Sequence, residues 1–290
     1  MKLGLQINEF TWPGGPARLA QDLATVARTA DEGGFDPIGV MDHFFQIGSL
    51  GPPEHEMLEA YTTLGYLAAH TKRARLITIV TGAAYRYPGV LAKTVTTLDV
   101  LSGGRAMLGI GAAWNEYEAK ALGIPFPPLA ERFDWLEDAL ELCTRMWRDD
   151  QRPFTGKRFT FERPLNRPQA LTRPHPPIMI GGSGERKTLR LVAKYADACN
   201  LFPTPDAQHK LDVLKEHCER EKRDYDSIEK TCMFHMDVGA RGENVGRLVE
   251  QLKGLRKIGF TTAIGGVKDV SKIAPLEIVI SEIIPAIRDL

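Results

Sequence analysis

The sequence has no excess of charge of either sign. Its 290 residues include 37 Lys and Arg and 37 Asp and Glu, so the formal net charge at pH 7 is zero. No segment gathers basic side chains into a stripe that could follow a phosphate backbone. Nucleic acid is therefore not expected as a partner.

Cysteine and long apolar runs are also scarce. The four cysteines, Cys143, Cys199, Cys218 and Cys232, show no CxxC spacing and lie in apolar contexts. This is typical of reduced thiols and not of a disulfide or zinc framework. No run approaches the roughly 18 apolar residues of a membrane span, and the N-terminal MKLGLQINEF lacks the apolar segment of a signal peptide. We expect a cytoplasmic protein without a membrane partner.

Two familiar site motifs are incomplete. His55-Glu56-Met57-Leu58-Glu59 lacks the second histidine of the zinc motif HExxH, and no strand has a His-x-His pattern, so we expect no metal. The segment 109–114 begins like a dinucleotide fingerprint, but Trp114 stands where the third glycine belongs. The acidic strand end expected about 20 residues later is missing as well, which excludes a Rossmann site.

What the sequence does contain is a series of eight short apolar runs with helical spacing between them. The runs span residues 3–7, 37–41, 74–80, 106–111, 176–182, 198–202, 231–238 and 261–266. Nearly continuous apolar strands suit a parallel sheet covered by helices, and eight βα units close a barrel. We predict a single (β/α)8 TIM-barrel domain over residues 1–290. An open doubly wound sheet is the alternative, but it usually has fewer strands per domain, and no interdomain linker is visible.

One segment does not fit the βα repeat. Residues 150–175 contain four prolines among polar residues and cannot form a regular helix. They lie between the fourth and fifth units. We expect an insertion beside the mouth of the barrel, because long loops in compact domains are often functional.

The strand ends supply the candidate site residues, because active sites of such barrels lie at the C-terminal ends of the strands. After the second run, VMDHFF breaks from apolar residues into Asp42 and His43. His43 can transfer a proton near neutral pH, whereas Asp42, its neighbour along the chain, should point to the other face. A capped loop with a hydrogen-bonded structural histidine is the alternative.

Glycines mark three further strand ends. Gly181, Gly182, Ser183 and Gly184 lead from the fifth run into a helix and favour a phosphate site; a tight turn with Ser183 as helix cap is the alternative. The small residues before Asn115 would let a flat cofactor lie against the backbone, unless Asn115 only caps a helix. Gly82 after Thr81 indicates a bulge or a backbone pressed against a ligand.

Three segments together resemble the bacterial luciferase-like superfamily, most closely its F420-dependent oxidoreductase branch. They are DHFFQIG, TLDVLSGGRAMLGIGAAWNEYE and PPIMIGGSGERKTLRLVAKYADACNLF, and the similarity runs over essentially the whole chain. The resemblance implies a barrel with an insertion and a deazaflavin or flavin in its mouth, with the phosphate tail on the fifth and sixth loops. It also implies a homodimer.

The resemblance assigns roles residue by residue. His43 is the implied catalytic proton-transfer group. Thr81 and Gly82 match a third-strand bulge where such enzymes place a non-prolyl cis peptide. The implied cofactor-binding residues are Asp42, Thr81, Gly82, Ala112, Asn115, Gly181, Gly182, Ser183 and Gly184.

One departure concerns the substrate. The sugar-phosphate dehydrogenases of this branch have a second acid-base glutamate after the fourth-strand small residues, where this chain has Ala113 and Trp114. We therefore expect hydride transfer between C5 of F420 and a small alcohol, carbonyl compound or activated alkene. The alternatives are an FMN-dependent two-component monooxygenase and a non-catalytic flavin- or deazaflavin-binding protein.

Overall fold

The computed structural model describes residues 1–290. The strands are β1 (Lys2–Ile7), β2 (Ile38–Val40), β3 (Leu76–Thr78), β4 (Thr81–Gly82), β5 (Ala106–Gly111), β6 (Phe154–Thr155), β7 (Thr160–Phe161), β8 (Ile178–Gly181), β9 (Ala198–Leu201), β10 (Glu229–Met233) and β11 (Thr262–Gly265). The α-helices are α1 (Pro16–Gly33), α2 (Ala60–His70), α3 (Pro88–Ser102), α4 (Glu116–Ala121), α5 (Leu129–Trp147), α6 (Thr188–Tyr195), α7 (Ala207–Glu221), α8 (Val245–Ile258), α9 (Ala274–Ile278) and α10 (Ile284–Ile287). Short 3₁₀ turns at Tyr225–Ser227 and Val270–Lys272 and a π-helical turn at Val279–Ile283 complete the regular structure.

The main sheet is a closed parallel barrel. Its strand order is β3-β2-β1-β11-β10-β9-β8-β5-β4, and a further pairing of β3 with β5 closes the circle. Since β3 and β4 are two pieces of one interrupted strand, the barrel has eight strand positions. The predicted (β/α)8 barrel is confirmed, and each of the eight apolar runs overlaps a barrel strand.

The third run differs from its prediction. We expected one strand over residues 74–80, but the strand stops after Thr78 and resumes at Thr81. The two residues between them, Ile79 and Val80, are joined by a cis peptide bond. This break allows β3 to pair with β2 and β4 to pair only with β5.

Prolines and glycines set the bounds of helices α1 and α3. Pro16 opens α1 and Pro88 opens α3, positions where the missing N–H costs nothing. Each helix ends at a glycine in the left-handed conformation, Gly34 and Gly103. The apolar stripe of α1 then faces the barrel.

The barrel is filled with side chains and closed at its N-terminal end by charges. Ile77, Met107, Met179 and Ile264 belong to a buried cluster separate from the larger core shared with the helices. At the N-terminal end, Arg75 binds two carboxylates. Its Nε lies 3.0 Å from Asp36 Oδ1, and its Nη1 lies 2.8 Å from Glu229 Oε2.

The segment 150–175 forms the antiparallel β6–β7 hairpin followed by a run without helix or strand. The buried Asp138 of α5 holds the hairpin turn, because its carboxylate accepts the N–H groups of residues 157, 158 and 159. Phe159 packs against Tyr87, which precedes α3. Further along, Thr172 donates to Asp99 near the other end of α3. The segment therefore follows the outside of α3 from the mouth side toward the opposite end of the barrel.

None of the helices has the length and apolar character needed to cross a membrane.

Candidate active site

His43 lies in the loop after β2, at the mouth of the barrel. Its side chain is nearly buried, and Nδ1 lies 3.1 Å from Oε1 of Glu118. Glu118 belongs to the first turns of α4, in the loop region that follows β5. The contact therefore joins the second and fourth βα units.

Glu118 is the central acceptor of the mouth. Its side chain is 0% exposed, and four donors surround it. Oε1 also accepts from the hydroxyl of Tyr85 at 2.7 Å, while Oε2 accepts from the N–H groups of Phe44 and Phe45 at 2.7 and 2.9 Å. Burial acts to raise the pKa of Glu118, but the hydrogen bonds from His43, Phe45 and Tyr85 outweigh it and hold this pKa below its usual range. The carboxylate is thus the ionised acceptor of all four groups.

Asp42 points away from His43 into a second ionic cluster. Arg86 binds both of its carboxylate oxygens, with Nη2 3.0 Å from Oδ1, and also contacts Glu59. The Asp42 side chain is only 1% exposed. Burial raises the pKa of Asp42, and the Arg86 guanidinium opposes that rise. No hydrogen bond joins Asp42 to His43, as expected for neighbours on opposite faces.

Thr81 and Gly82 are not the bulge itself. They pair in regular parallel register with Ile110 and Gly111 of β5, and the irregular backbone precedes them at Ile79–Val80. The hydroxyl of Thr81 is hydrogen-bonded to those of Tyr61 and Thr78 at 2.9 and 2.8 Å. Both residues are buried. They would therefore affect a bound cofactor indirectly, by supporting the bulge, and not by touching it as predicted.

Glycines at the strand ends make room for this bulge. A Cβ on Gly111 would lie 3.1 Å from the side chain of Val80, and one on Gly181 would lie 3.0 Å from it. Both distances are tighter than ordinary packing. Val80 therefore occupies the space between the ends of β5 and β8. At Gly82, a Cβ would lie 2.9 Å from that of Ala113.

The loop after β5 presents a tryptophan to the mouth. Ala113 has a left-handed backbone with φ of 62°, and the next residue, Trp114, is 63% exposed. The Trp114 ring meets the His43 ring edge-on, with centroids 5.4 Å apart. Ala112 contributes its carbonyl to Arg132 at 3.1 Å. Asn115 caps α4 by accepting from the N–H of Glu118, which is the simpler of its two predicted roles.

The glycine loop after β8 carries unused donors. Gly182 has φ of 119°, a conformation that favours glycine. The cap residue of α6 is Lys187, so Ser183 is not the helix cap considered as the alternative. The N–H groups of Ser183, Gly184 and Lys187 have no acceptor in the chain. Gly184, Ser183 and Lys187 are exposed.

The predicted residues thus fall into distinct groups around one mouth. His43 and the loop of Ala112 and Asn115 are brought together through Glu118, whereas Asp42 and Thr81 lie beneath them. Sequence reasoning missed Glu118 and Arg86. Asn115 followed three residues later by Glu118 is a capping-box pattern, but that pattern predicts a side chain turned back to the start of the helix and not toward His43.

The sequence profile described as "Luciferase-like monooxygenase" matches residues 1–263. An F420-dependent glucose-6-phosphate dehydrogenase of Nakamurella multipartita is 33% identical over 221 residues, which cover 72% of this chain and 61% of that protein. The chain thus spans less than two thirds of the length of this curated relative.

Two solved structures share the fold over nearly their whole length. An F420-dependent secondary alcohol dehydrogenase in complex with an F420–acetone adduct superposes with a TM-score of 0.81 at 18% identity, covering 100% of both chains. The monooxygenase RslO1 from Streptomyces bottropensis superposes with a TM-score of 0.80 at 18% identity, covering 98% of this chain and 99% of that one. Because the family profile covers most of the sequence, the chain belongs to the luciferase-like monooxygenase family.

Proposed function

We propose that the protein is an F420-dependent oxidoreductase that transfers a hydride between C5 of the deazaflavin and a small organic substrate. The observation that carries the proposal is the His43–Glu118 pair at the barrel mouth, an arrangement able to exchange a proton with a substrate oxygen. The 33% identity to a protein named as an F420-dependent dehydrogenase supports the choice of cofactor.

The residues of the mouth fit a phosphate-bearing cofactor. The unpaired N–H groups of Ser183, Gly184 and Lys187 form an anion-binding edge next to the exposed Arg186. Gly181 and Gly182 keep side chains away from this edge. The cofactor ring would rest near Val80 and the backbone of Ala112, with Asp42 and Thr81 supporting the bulge from below.

When bound, F420 supplies hydride transfer at a carbon centre, and the protein's part is to orient groups and move a proton. His43 accepts the hydroxyl proton of an alcohol as it is oxidised, or returns a proton to a carbonyl oxygen in the reverse direction. Trp114 and Tyr85 border His43 and reduce its contact with water.

The surroundings of His43 favour an uncharged substrate. By the family resemblance, Ala113 and Trp114 occupy the position at which the sugar-phosphate dehydrogenases have an acid-base glutamate. Arg86, a cation of the mouth, forms ion pairs with Asp42 and Glu59 and so is not free to bind a substrate phosphate. We therefore propose an alcohol, a carbonyl compound or an activated alkene as substrate, and not a sugar phosphate.

An FMN-dependent monooxygenase is the second candidate, and the description of the matching family favours it. Titration of the purified protein with F420 and with FMN, followed by absorbance, separates the two. Binding of F420 without FMN supports the proposal, and the reverse result contradicts it. Binding of F420 without its reduction by any alcohol, and without oxidation of reduced F420 by any ketone or enone, would instead indicate a non-catalytic binding protein.

Assembly into a homodimer remains a proposal drawn from the resemblance alone. Light scattering of the purified chain tests it, and a mass equal to one chain would contradict it.

A further inference from the structure

The contact between His43 and Glu118 also fixes which ring nitrogen faces the reaction. An ionised carboxylate accepts hydrogen bonds and cannot donate them, so the atom that faces it must carry a proton. Nδ1 of His43 lies 3.1 Å from Oε1 of Glu118. In the neutral imidazole only one nitrogen is protonated, so a proton on Nδ1 leaves Nε2 as an acceptor.

The other contacts of Glu118 leave it no freedom to turn away. Both oxygens are occupied, since the N–H groups of Phe44 and Phe45 bind Oε2 and the Tyr85 hydroxyl shares Oε1 with His43. Phe44 and Phe45 directly follow His43 in the chain, so one carboxylate holds the backbone of the loop and the imidazole together. Burial together with the Glu118 hydrogen bond raises the pKa of Tyr85, which keeps its hydroxyl a donor.

The charged groups around the pair do not compete for it. Asp42 lies on the same loop, but Arg86 occupies its carboxylate. Glu116, two residues before Glu118, points outward and pairs with Lys120 at 2.8 Å. His43 therefore meets one carboxylate, and that carboxylate is fully buried.

We infer that Glu118 is a positioning residue that holds His43 as the Nδ1–H tautomer, with Nε2 presented as the proton acceptor for the substrate hydroxyl. The inference deepens the proposed function and rests on it for the identity of the reaction. When Nε2 takes the hydroxyl proton, the imidazolium formed lies against an anion that is already oriented. The proton remains on Nε2 until the reverse step or until solvent removes it.

The first test needs neither cofactor nor substrate. Nitrogen-15 NMR of histidine-labelled protein at about pH 9, above the ordinary histidine range, reports the protonation of each ring nitrogen. His43 is assigned by the signal missing in His43→Asn. We expect a protonated Nδ1 and an unprotonated Nε2 in the wild type. A wild-type Nε2–H tautomer would overturn the inference even if no variant folds.

The second test compares variants of the same helix. In Glu118→Gln the N–H groups of Phe44 and Phe45 should hold the amide oxygen, so the amide N–H₂ faces Nδ1 of His43. This variant should lose the preference for Nδ1–H and reduce the rate of hydride transfer by about 100-fold or more, with F420 affinity retained. The matched control Glu116→Gln should leave both the tautomer of His43 and the rate of hydride transfer unchanged. Tyr85→Phe removes one donor but keeps the carboxylate, so its tautomer should stay as in the wild type. An unchanged tautomer in folded Glu118→Gln contradicts the inference.

The two tests separate the inference from the function on which it rests. A wild-type Nδ1–H tautomer without turnover of any alcohol, ketone or enone supports the positioning role and contradicts the proposed reaction. Turnover by a protein whose His43 is the Nε2–H tautomer supports the proposed reaction and contradicts the positioning role.

Discussion

At the scale of single residues, the mouth contains two buried carboxylates with different partners. Glu118 accepts hydrogen bonds from His43, Tyr85 and two backbone N–H groups, whereas Asp42 is bound by Arg86. The sequence indicates His43 and Asp42 because they break an apolar run at a strand end. It does not indicate Glu118 as their neighbour, because the partners lie about 75 residues apart and meet only when the barrel closes.

Removal of the Arg86 side chain should destabilise the protein. In Arg86→Met the Asp42 carboxylate stays buried without its counter-charge, which typically costs about 3–5 kcal/mol. The double variant Asp42→Asn/Arg86→Met should recover part of this loss. Urea unfolding measures the free energy of unfolding of both variants. Arg152→Met, which breaks an exposed pair with Asp150, is the control and should leave stability nearly unchanged. Equal effects of Arg86→Met and Arg152→Met would show that the Asp42 pair contributes little.

Trp114 should act on substrate binding more than on the chemical step. The Trp114 ring packs on His43, so Trp114→Ala should raise the KM for an apolar alcohol or ketone roughly tenfold, the value of one aromatic contact. Steady-state kinetics measure the change. Tyr117→Ala is the matched control, since Tyr117 is equally exposed, at 66%, but packs on Phe45. A larger fall in kcat than rise in KM would argue against this role.

At the scale of elements, the strands were predictable, but the position of the interruption in the third strand was not. Apolar runs bounded by glycine and proline identify buried strands, because few other elements are so short and apolar. The break at Ile79–Val80 has no such mark, since both residues are ordinary strand formers. It depends on space supplied by Gly111 and Gly181, which come from other strands.

Gly109 of β5 should be among the least replaceable residues of the barrel. A Cβ there would meet the carbonyl oxygen of Thr78, which is backbone and cannot move aside easily. Gly109→Ala should therefore cost about 3 kcal/mol or more in the free energy of unfolding. Gly254→Ala in the exposed middle of α8 is the matched control, with no atom within 4 Å. It should gain about 0.5–1 kcal/mol from helix propensity. Similar stabilities of the two variants would contradict the close packing of β5 against β3.

At the scale of the whole molecule, the number of βα units predicts the closed barrel, but the charges at its N-terminal end are not predictable in the same way. Arg75, Asp36 and Glu229 come from three different strand beginnings and meet only because the sheet closes. Each alone has the appearance of an ordinary surface charge in the sequence.

This cluster should make stability depend on acid. Burial tends to raise the pKa of Asp36 and Glu229, but Arg75 outweighs it and holds both below their usual range. A carboxyl group whose pKa is lowered in the folded state stabilises the protein above the unfolded pKa of about 4 and loses that contribution as the pH falls through the folded value. Arg75→Met should therefore be destabilised at pH 7, and its deficit should shrink toward pH 3.

Unfolding curves of wild type and Arg75→Met across this pH range test the effect. Lys2→Met is the control, because Lys2 approaches Asp36 only at 3.6 Å from an exposed position. A deficit of constant size at all pH values would show that Arg75 acts by packing and not through its charge.

The most direct measurement of the proposed chemistry follows F420 absorbance in wild type and His43→Gln with an alcohol as substrate. We expect both proteins to bind F420 with similar affinity and the rate of F420 reduction to fall by about 10²–10⁴-fold in the variant. An unchanged rate in His43→Gln would contradict the assignment of proton transfer to His43, and failure of the wild type to bind F420 would contradict the cofactor.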